Sequence, residues 1–366
     1  MKKIIISING KFYSQKTTGV QRYAREIVQG LDEILNDVEY AGQIRLRLII
    51  PRDATDVPAF NNIEVVRTFG LSNHLWEQFV LPLYSLNHYL LSLSGSAPWL
   101  KFGQIATIHD AVLYEFPEAY SLIFRIWYKS LFWWQSIWCL RIITISEFSK
   151  GRLLKFLPLN KSKIFVAYVG HEHLGRISPD SRILQKFNLE ETPYFLVVGS
   201  INPNKNLKRL ISAVSKHLSE SKHLFIIAGG ADLHVFARHE FNNVPNNVLF
   251  IGYVGDSELK ALYLRAKALV FPSTYEGFGI PLLEAMSVGC PIVASNAASI
   301  PEVCGDCATY FDPLSEIDIA EKLSQIIIGN GDISKVGKSF NRVKQFSWFQ
   351  SARRILDSVI VAGENP

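Results

Sequence analysis

Short apolar runs alternate with amphipathic stretches along nearly the whole chain. In the first half the runs fall at residues 3–8, 46–50, 63–66, 105–108, 142–145 and 164–168. In the second half they fall at 194–198, 224–228, 248–251, 268–271, 291–294 and 309–311. Runs this short, separated by amphipathic segments, predict βαβ units and parallel sheets covered on both faces. The residues just past the runs are small or polar: Asn9-Gly10, His109-Asp110, Ser146-Glu147, Gly199-Ser200, Gly229-Gly230, Gly252-Tyr253, Ser273 and Ser295-Asn296. Gly and Ser suit turns of any kind. Their repetition in both halves nevertheless points to two ligand-facing edges, because open α/β sheets bind at the carboxyl ends of their strands.

The alternation breaks between residues 171 and 192, where Gly175, Pro179 and scattered charges take over. This stretch reads as an interdomain linker. The predicted fold is therefore α/β, with Rossmann-like domains over residues 1–175 and 176–346 and a closing helix over 347–366. Ser347 and Gln350 stand in capping-box spacing at the start of that helix. Trp348, Phe349, Ile355, Leu356 and Val359 give it an apolar face.

Composition agrees with two cored domains. The chain has 366 residues, 48% hydrophobic and 19% charged, which argues against disorder. Its net charge of +5 suits an anionic ligand or an anionic membrane surface, but no long Lys/Arg run suggests nucleic acid. The four cysteines, Cys139, Cys290, Cys304 and Cys307, include one C-x-x-C pair with no second pair to complete a zinc site. They read as structural thiols of a reducing cytoplasm. The apolar run after Met1-Lys2-Lys3 is too short for a signal peptide and reads as a first buried strand. No apolar run reaches the roughly 18 residues of a membrane span.

The chemistry concentrates in the stretch from Phe271 to Cys290, FPSTYEGFGIPLLEAMSVGC. A strand ends at Phe271, a loop Glu276-Gly277-Phe278-Gly279 follows, and a helix opens with Pro281 in its first turn, where proline is tolerated. Gly289 stands where a helix stops. Backbone N–H groups at such a helix start are a natural diphosphate site, and the glycines permit close approach of a ligand. Glu276 lies before the helix and Glu284 within it, too far apart for a glycosidase pair acting on one bond. They suit the hydroxyls of two different sugars, although Glu284 also reads as an ordinary charge on a helix face.

This stretch closely resembles the Glu-x7-Glu motif of glycosyltransferase family 4, retaining enzymes of the GT-B fold. The resemblance covers nearly the whole chain. Thr18-Gly19-Val20-Gln21-Arg22-Tyr23 is similar to the family's Gly-rich entry to its first helix, and His109-Asp110 to its His-Asp motif. Ile145-Ser146-Glu147-Phe148-Ser149, Pro203-Asn204-Lys205-Asn206 and Ser299-Ile300-Pro301-Glu302-Val303 also resemble family motifs. The resemblance implies two facing Rossmann-like domains with a last helix that crosses back to the first. The first domain would bind the acceptor and the second the nucleotide sugar. Glu284 would hold the ribose and Glu276 the donor sugar. Phe278, Gly279 and Ile280 would line the sugar and phosphates beside Gly277, while Gly252, Tyr253 and Val254 would line the base. Gly19 would approach the diphosphate from the facing domain. His109 would bind the sugar near the reacting carbon, and Lys205 would stabilise the leaving diphosphate. Ser200 and Asn204 stand where many family members carry basic residues, so Lys205 is the one cation left of that clamp.

The overall similarity is to mannosyltransferases of bacterial O-antigen or capsule synthesis, which implies mannose from GDP-mannose and an oligosaccharide or lipid-linked acceptor. An epimerase of the same fold and a non-catalytic glycan-binding relative are the competing readings. No metal cofactor is expected, since no Asp-x-Asp motif is present to hold one against a diphosphate. Residues 122–140 are unusually aromatic, with Trp127, Trp133, Trp134 and Trp138 and a narrow polar stripe of Ser121, Arg125 and Lys129. They read either as a buried helix or as a patch for peripheral contact with the inner face of the cytoplasmic membrane.

Overall fold

The computed structural model describes residues 3–230, 244–329 and 333–364. They form two compact units, Met1–Gly170 with Ser347–Pro366 and His171–Phe346. The first carries a seven-stranded sheet: β1 (Ile4–Asn9), β2 (Ile44–Ile50), β3 (Ile63–Arg67), β4 (Tyr89–Ser92), β5 (Gln104–Thr107), β6 (Arg141–Thr144) and β7 (Ile164–Val166), in the order β3-β2-β1-β4-β5-β6-β7. The second carries six strands: β8 (Tyr194–Val198), β9 (Leu224–Ala228), β10 (Val248–Gly252), β11 (Ala268–Phe271), β12 (Ile292–Ser295) and β13 (Ala308–Phe311), in the order β10-β9-β8-β11-β12-β13. The pairings are parallel throughout. Each sheet therefore has a switch point, between β1 and β4 in one and between β8 and β11 in the other, where the strand order reverses and a crevice opens.

The twelve apolar runs all became strands. Missing from the sequence reading was β4, a central strand paired to β1 and β5. Its Tyr-Leu-Leu-Ser core lies in an apolar stretch interrupted by Pro82, where periodicity does not separate a strand from a buried helix.

The expected linker needs correction. The division falls at Gly170–His171, ahead of residue 175, and residues from His171 on belong to the second unit. They fold as short helices, Glu172–Gly175 and Arg182–Lys186, with His173, Leu174, Ile183 and Leu184 buried. A segment with that much buried side chain is part of a core, whatever its Gly and Pro content.

The last helix, Trp348–Glu364, packs in the first unit against the helix Gly19–Ile34. Trp348, Ile355, Leu356 and Val359 are buried, while Phe349 is not. Gly30 lets the two helices meet: a Cβ there would lie 2.9 Å from the Ala352 Cβ and 3.4 Å from the Trp348 carbonyl.

Candidate active site

In the second unit the ends of four strands converge. The Gly199 N–H donates to the Ala228 carbonyl at 3.0 Å, and the Gly229 N–H to the Gly252 carbonyl at 2.7 Å. Gly229 has φ +127°, and a Cβ on it would meet the Gly199 carbonyl oxygen at 2.3 Å, so glycine is required where these ends touch. Ser200 follows Gly199, half-buried; Val254 is half-buried and Tyr253 exposed beyond β10. The Lys205 side chain runs along Gly199, with its Cδ 3.7 Å from where a Cβ would stand.

Lys205 and Glu276 meet across the switch point, one after β8 and the other after β11. Lys205 Nζ donates to Glu276 Oε1 at 2.5 Å, and Ser273 Oγ donates to the same oxygen at 2.7 Å. Local chemistry fixes both loops. Asn206 takes the left-handed conformation at φ +57°, which asparagine tolerates, and its Nδ2 donates to the carbonyls of Pro272 and Pro313. Asn204 is buried: its Nδ2 donates to the Tyr275 carbonyl, and its own carbonyl accepts from the Thr274 N–H. An arginine at 204 would have to leave that pocket, so the neutral residue here braces the loop of Glu276. Ser299 Oγ donates to the carbonyls of Glu276 and Phe278 at 2.9 and 3.1 Å and clamps the same loop.

Gly279 caps the helix Ile280–Ser287 at φ +103°, and a Cβ there would strike Leu282 Cδ1 at 2.8 Å. Phe278 is buried, edge-on to Phe346. Pro281 has no N–H to offer at this helix start. Glu284 lies inside the helix, buried, with both carboxylate oxygens engaged: His173 Nε2 donates to Oε1 and the Tyr263 hydroxyl to Oε2, each at 2.9 Å. Glu284 is therefore no surface charge. Sequence reading missed His173 and Tyr263; the two histidines at 171 and 173, where the strand pattern breaks, were the available signal.

The first unit has its own edge. His109 follows β5, and its Nε2 faces the Leu93 carbonyl at 3.1 Å. Burial lowers its pKa to about 4, against an opposing contribution from that carbonyl, so the ring is neutral at pH 7. With Nε2–H donating, Nδ1 is left as an acceptor. His109 lines a cavity of about 370 Å³ with Thr18 and Val20, the residues flanking Gly19. Gln15, Gln21 and Asp110 add polar groups, and Tyr120, Phe124, Tyr128 and Phe132 form an aromatic wall. Ser94 Oγ, on the same wall, is buried with no protein partner. At this unit's switch point lies a buried ion pair that sequence reading also missed. Lys11 Nζ donates to Glu77 Oε2 at 2.7 Å, with Asn9 and Ser96 on the other oxygen. Burial alone would raise the Glu77 pKa; hydrogen bonds from His74, Lys11 and Asn9 and the Lys11 charge outweigh it and hold the carboxyl down at about 2.

All four cysteines are free and buried, and burial pushes the thiols of Cys139 and Cys290 up to about 12. That is inert thiol chemistry. Among the described residues no group of three or more His, Cys, Asp and Glu is gathered as a metal site.

Two parallel-sheet Rossmann-like units are the architecture of the GT-B fold. Solved structures agree. The chain superposes on WaaG, a glycosyltransferase involved in lipopolysaccharide biosynthesis, with a TM-score of 0.71 and 15% identity over 97% of this chain and 99% of that one. It superposes on Anabaena HepE in complex with UDP and glucose with a TM-score of 0.71 and 16% identity over 98% and 100%. Residues 180–339, most of the second unit, match the model of the family described as Glycosyl transferases group 1. O-antigen chain mannosyltransferase B of Escherichia coli is 29% identical over 67% of this chain and 66% of its own length. O-antigen chain mannosyltransferase RfbU of Salmonella typhimurium is 31% identical over 58% of each. The chain thus matches two thirds or less of these relatives' own lengths.

Proposed function

We propose that this protein is a retaining glycosyltransferase of family 4 that moves a hexose from a nucleoside diphosphate sugar to a glycan acceptor in bacterial surface polysaccharide synthesis. The observation that carries the reading is the Lys205–Glu276 pair at the switch point of the second unit, beside the start of the Ile280–Ser287 helix. Lys205 lies at hand to turn from Glu276 to the diphosphate, which leaves Glu276 to accept a sugar hydroxyl. Glu284, oriented by His173 and Tyr263, retains acceptor lone pairs for the ribose. Gly252, Tyr253 and Val254 are assigned to the base, and Ser200, Gly277, Phe278, Gly279 and Ile280 to the phosphates and sugar. Gly19 and His109 are the donor-side residues of the first unit, whose aromatic-walled cavity suits an acceptor sugar. The likeness to O-antigen mannosyltransferases supports mannose as the sugar; GDP is the carrier assigned to it.

The chemistry assigned is departure and attack on one face. The bond from C1 to the diphosphate breaks, the acceptor oxygen bonds to C1 on the same side, and its proton passes to a departing phosphate oxygen. Lys205 and the helix dipole stabilise the leaving charge, so no divalent ion is required. A thermal-shift panel of nucleotides and nucleotide sugars in EDTA tests this. A nucleotide at about 100 times its Kd is expected to add roughly 2.7 kcal/mol of stability. No shift with any nucleotide, or a shift only after magnesium or manganese is restored, overturns the assignment.

A further inference from the structure

The buried Lys11–Glu77 pair has no part in the reaction assigned above. Its side chains are 2% and 0% exposed. Exchange of such a pair for apolar side chains of similar size is often neutral or stabilising, so stability alone does not account for it. Its connections lead to a cavity. Asn9, the last residue of β1, accepts from the Lys11 N–H through Oδ1 and donates from Nδ2 to Glu77 Oε1. Lys11 Nζ donates to Glu77 Oε2 at 2.7 Å and to Ser96 Oγ at 3.0 Å. The Ser96 hydroxyl in turn donates to Glu77 Oε1 at 2.8 Å. Its proton and one lone pair are thereby committed, and a second lone pair remains. Ser96 can accept one more hydrogen bond but has no proton to give.

Ser96 is where this network meets the cavity beside His109. Asp110 adds a carboxylate to the lining, and Ser94 a buried hydroxyl with no protein partner. None of the described lining residues is Lys or Arg, and the His109 ring is neutral, so nothing there balances an anion. Phe124, Tyr128 and Phe132, at successive i, i+4 positions of the helix Leu122–Trp138, run as one aromatic wall, with neighbouring ring centroids 4.3 and 5.8 Å apart. A pyranose supplies what these surfaces lack: hydroxyl protons for the acceptors, and a C–H face for the electron-rich faces of the rings.

We infer that Lys11 and Glu77 are positioning residues for a neutral pyranose in this cavity. By holding the Ser96 proton they make Ser96 an obligate acceptor, which selects a sugar that carries a free hydroxyl at the position in contact. The role of that sugar as the glycosyl acceptor rests on the function proposed above; the chemistry of the cavity does not.

The test is NMR titration of the whole chain with the methyl α-glycosides of mannose, glucose and galactose. Analogues of the tightest binder follow, in which each hydroxyl in turn is replaced by fluorine, which carries no proton. The native chain is expected to bind at least one analogue about fivefold or more weakly than its parent, because a site built to accept a hydroxyl proton rejects a ligand without one. Lys11→Met with Glu77→Met removes both charges together, and Ser96→Ala removes the acceptor itself. Each is expected to bring that ratio below about twofold, since no fixed acceptor is then left unpaired by the analogue. A merely structural role of the pair would weaken parent and analogues alike and leave the ratio unmoved. Nucleotide-induced thermal shift, a property of the second unit, should be unchanged in both variants. Retention of the native ratio in either variant overturns the positioning role, and Ser96→Ala decides alone where the double variant does not fold. The sugar site itself is overturned by absence of binding of all three glycosides, by equal binding to native and Phe124→Ala chains, or by equally tight binding of the anionic methyl α-glucuronoside. Loss of the nucleotide shift in the native chain overturns the proposed function and leaves the cavity inference standing.

Discussion

Glu276 and Glu284 belong to one sequence motif but occupy different physical settings, and their substitution should separate accordingly. Glu276 shares Oε1 between Lys205 and Ser273 at the open end of the sheet. Its replacement by alanine removes a ligand together with the acceptor of the buried Ser273 hydroxyl, so turnover is expected to fall at least about 100-fold with a stability loss of about 1 kcal/mol. Glu284→Ala strips two buried donors, His173 and Tyr263, of their partner. That costs about 1–3 kcal/mol of stability in addition to activity. Glu284→Gln keeps the volume and one acceptor and isolates the functional loss. Steady-state turnover together with urea unfolding checks both; turnover near that of the native chain in Glu276→Ala and Glu284→Gln removes the motif from the site. The motif itself was legible in sequence, because its glycines, proline and carboxylates have local reasons to be there. Its pairings were not: Lys205, singled out for the diphosphate, is 71 positions from Glu276, and the unsuspected His173 is 111 from Glu284.

At the scale of elements, the strands were legible because a buried parallel strand must be a short apolar run. The aromatic helix was not, since composition alone allowed either a core helix or a surface patch. The structure gives it both parts, with Leu131, Phe132, Gln135 and Ser136 buried and its tryptophans mostly outside. The family resemblance implied the return of the last helix to the first unit, as found, but its partner there, Gly19–Ile34, was not legible, for Gly30 has no local reason in mid-helix, where glycine is unfavourable. Its reason is Ala352, against which a Cβ would press. Gly30→Val is therefore expected to destabilise the first unit by about 1–3 kcal/mol. Urea denaturation followed by tryptophan fluorescence reads this directly, and an unchanged midpoint would show that the helices part without cost.

For the molecule as a whole, the proposed reaction makes a stereochemical commitment. A double displacement needs a carboxylate nucleophile opposite the leaving group. Glu276 instead lies in the loop that enters the Ile280–Ser287 helix, paired to Lys205. An inverting reaction needs a general base at the acceptor. The neutral His109 ring, its pKa depressed to about 4 by burial, is assigned to the donor sugar and is a weak base for that purpose. The anomeric configuration of the donor is thus expected to survive in the product. Proton NMR of the freshly formed linkage decides it, and an inverted product refutes both the one-face mechanism and the role of His109.

What the sequence determined by itself was the local content of this protein: strands as apolar runs, turns as glycines and serines, a helix start preceded by a glycine-containing loop. These follow from periodicity and backbone chemistry within a few residues. Only the tertiary structure decided which polar groups share a site. The reversal of strand order sets the end of β8 beside the end of β11, and so Lys205 against Glu276; β1 beside β4 sets Lys11 near Ser96 in the same way. It also drew the segment after Gly170 into the second unit, where His173 satisfies Glu284 Oε1 while Tyr263 satisfies Oε2. Parallel sheets join residues far apart in the chain through crossovers, and no local pattern records the partner.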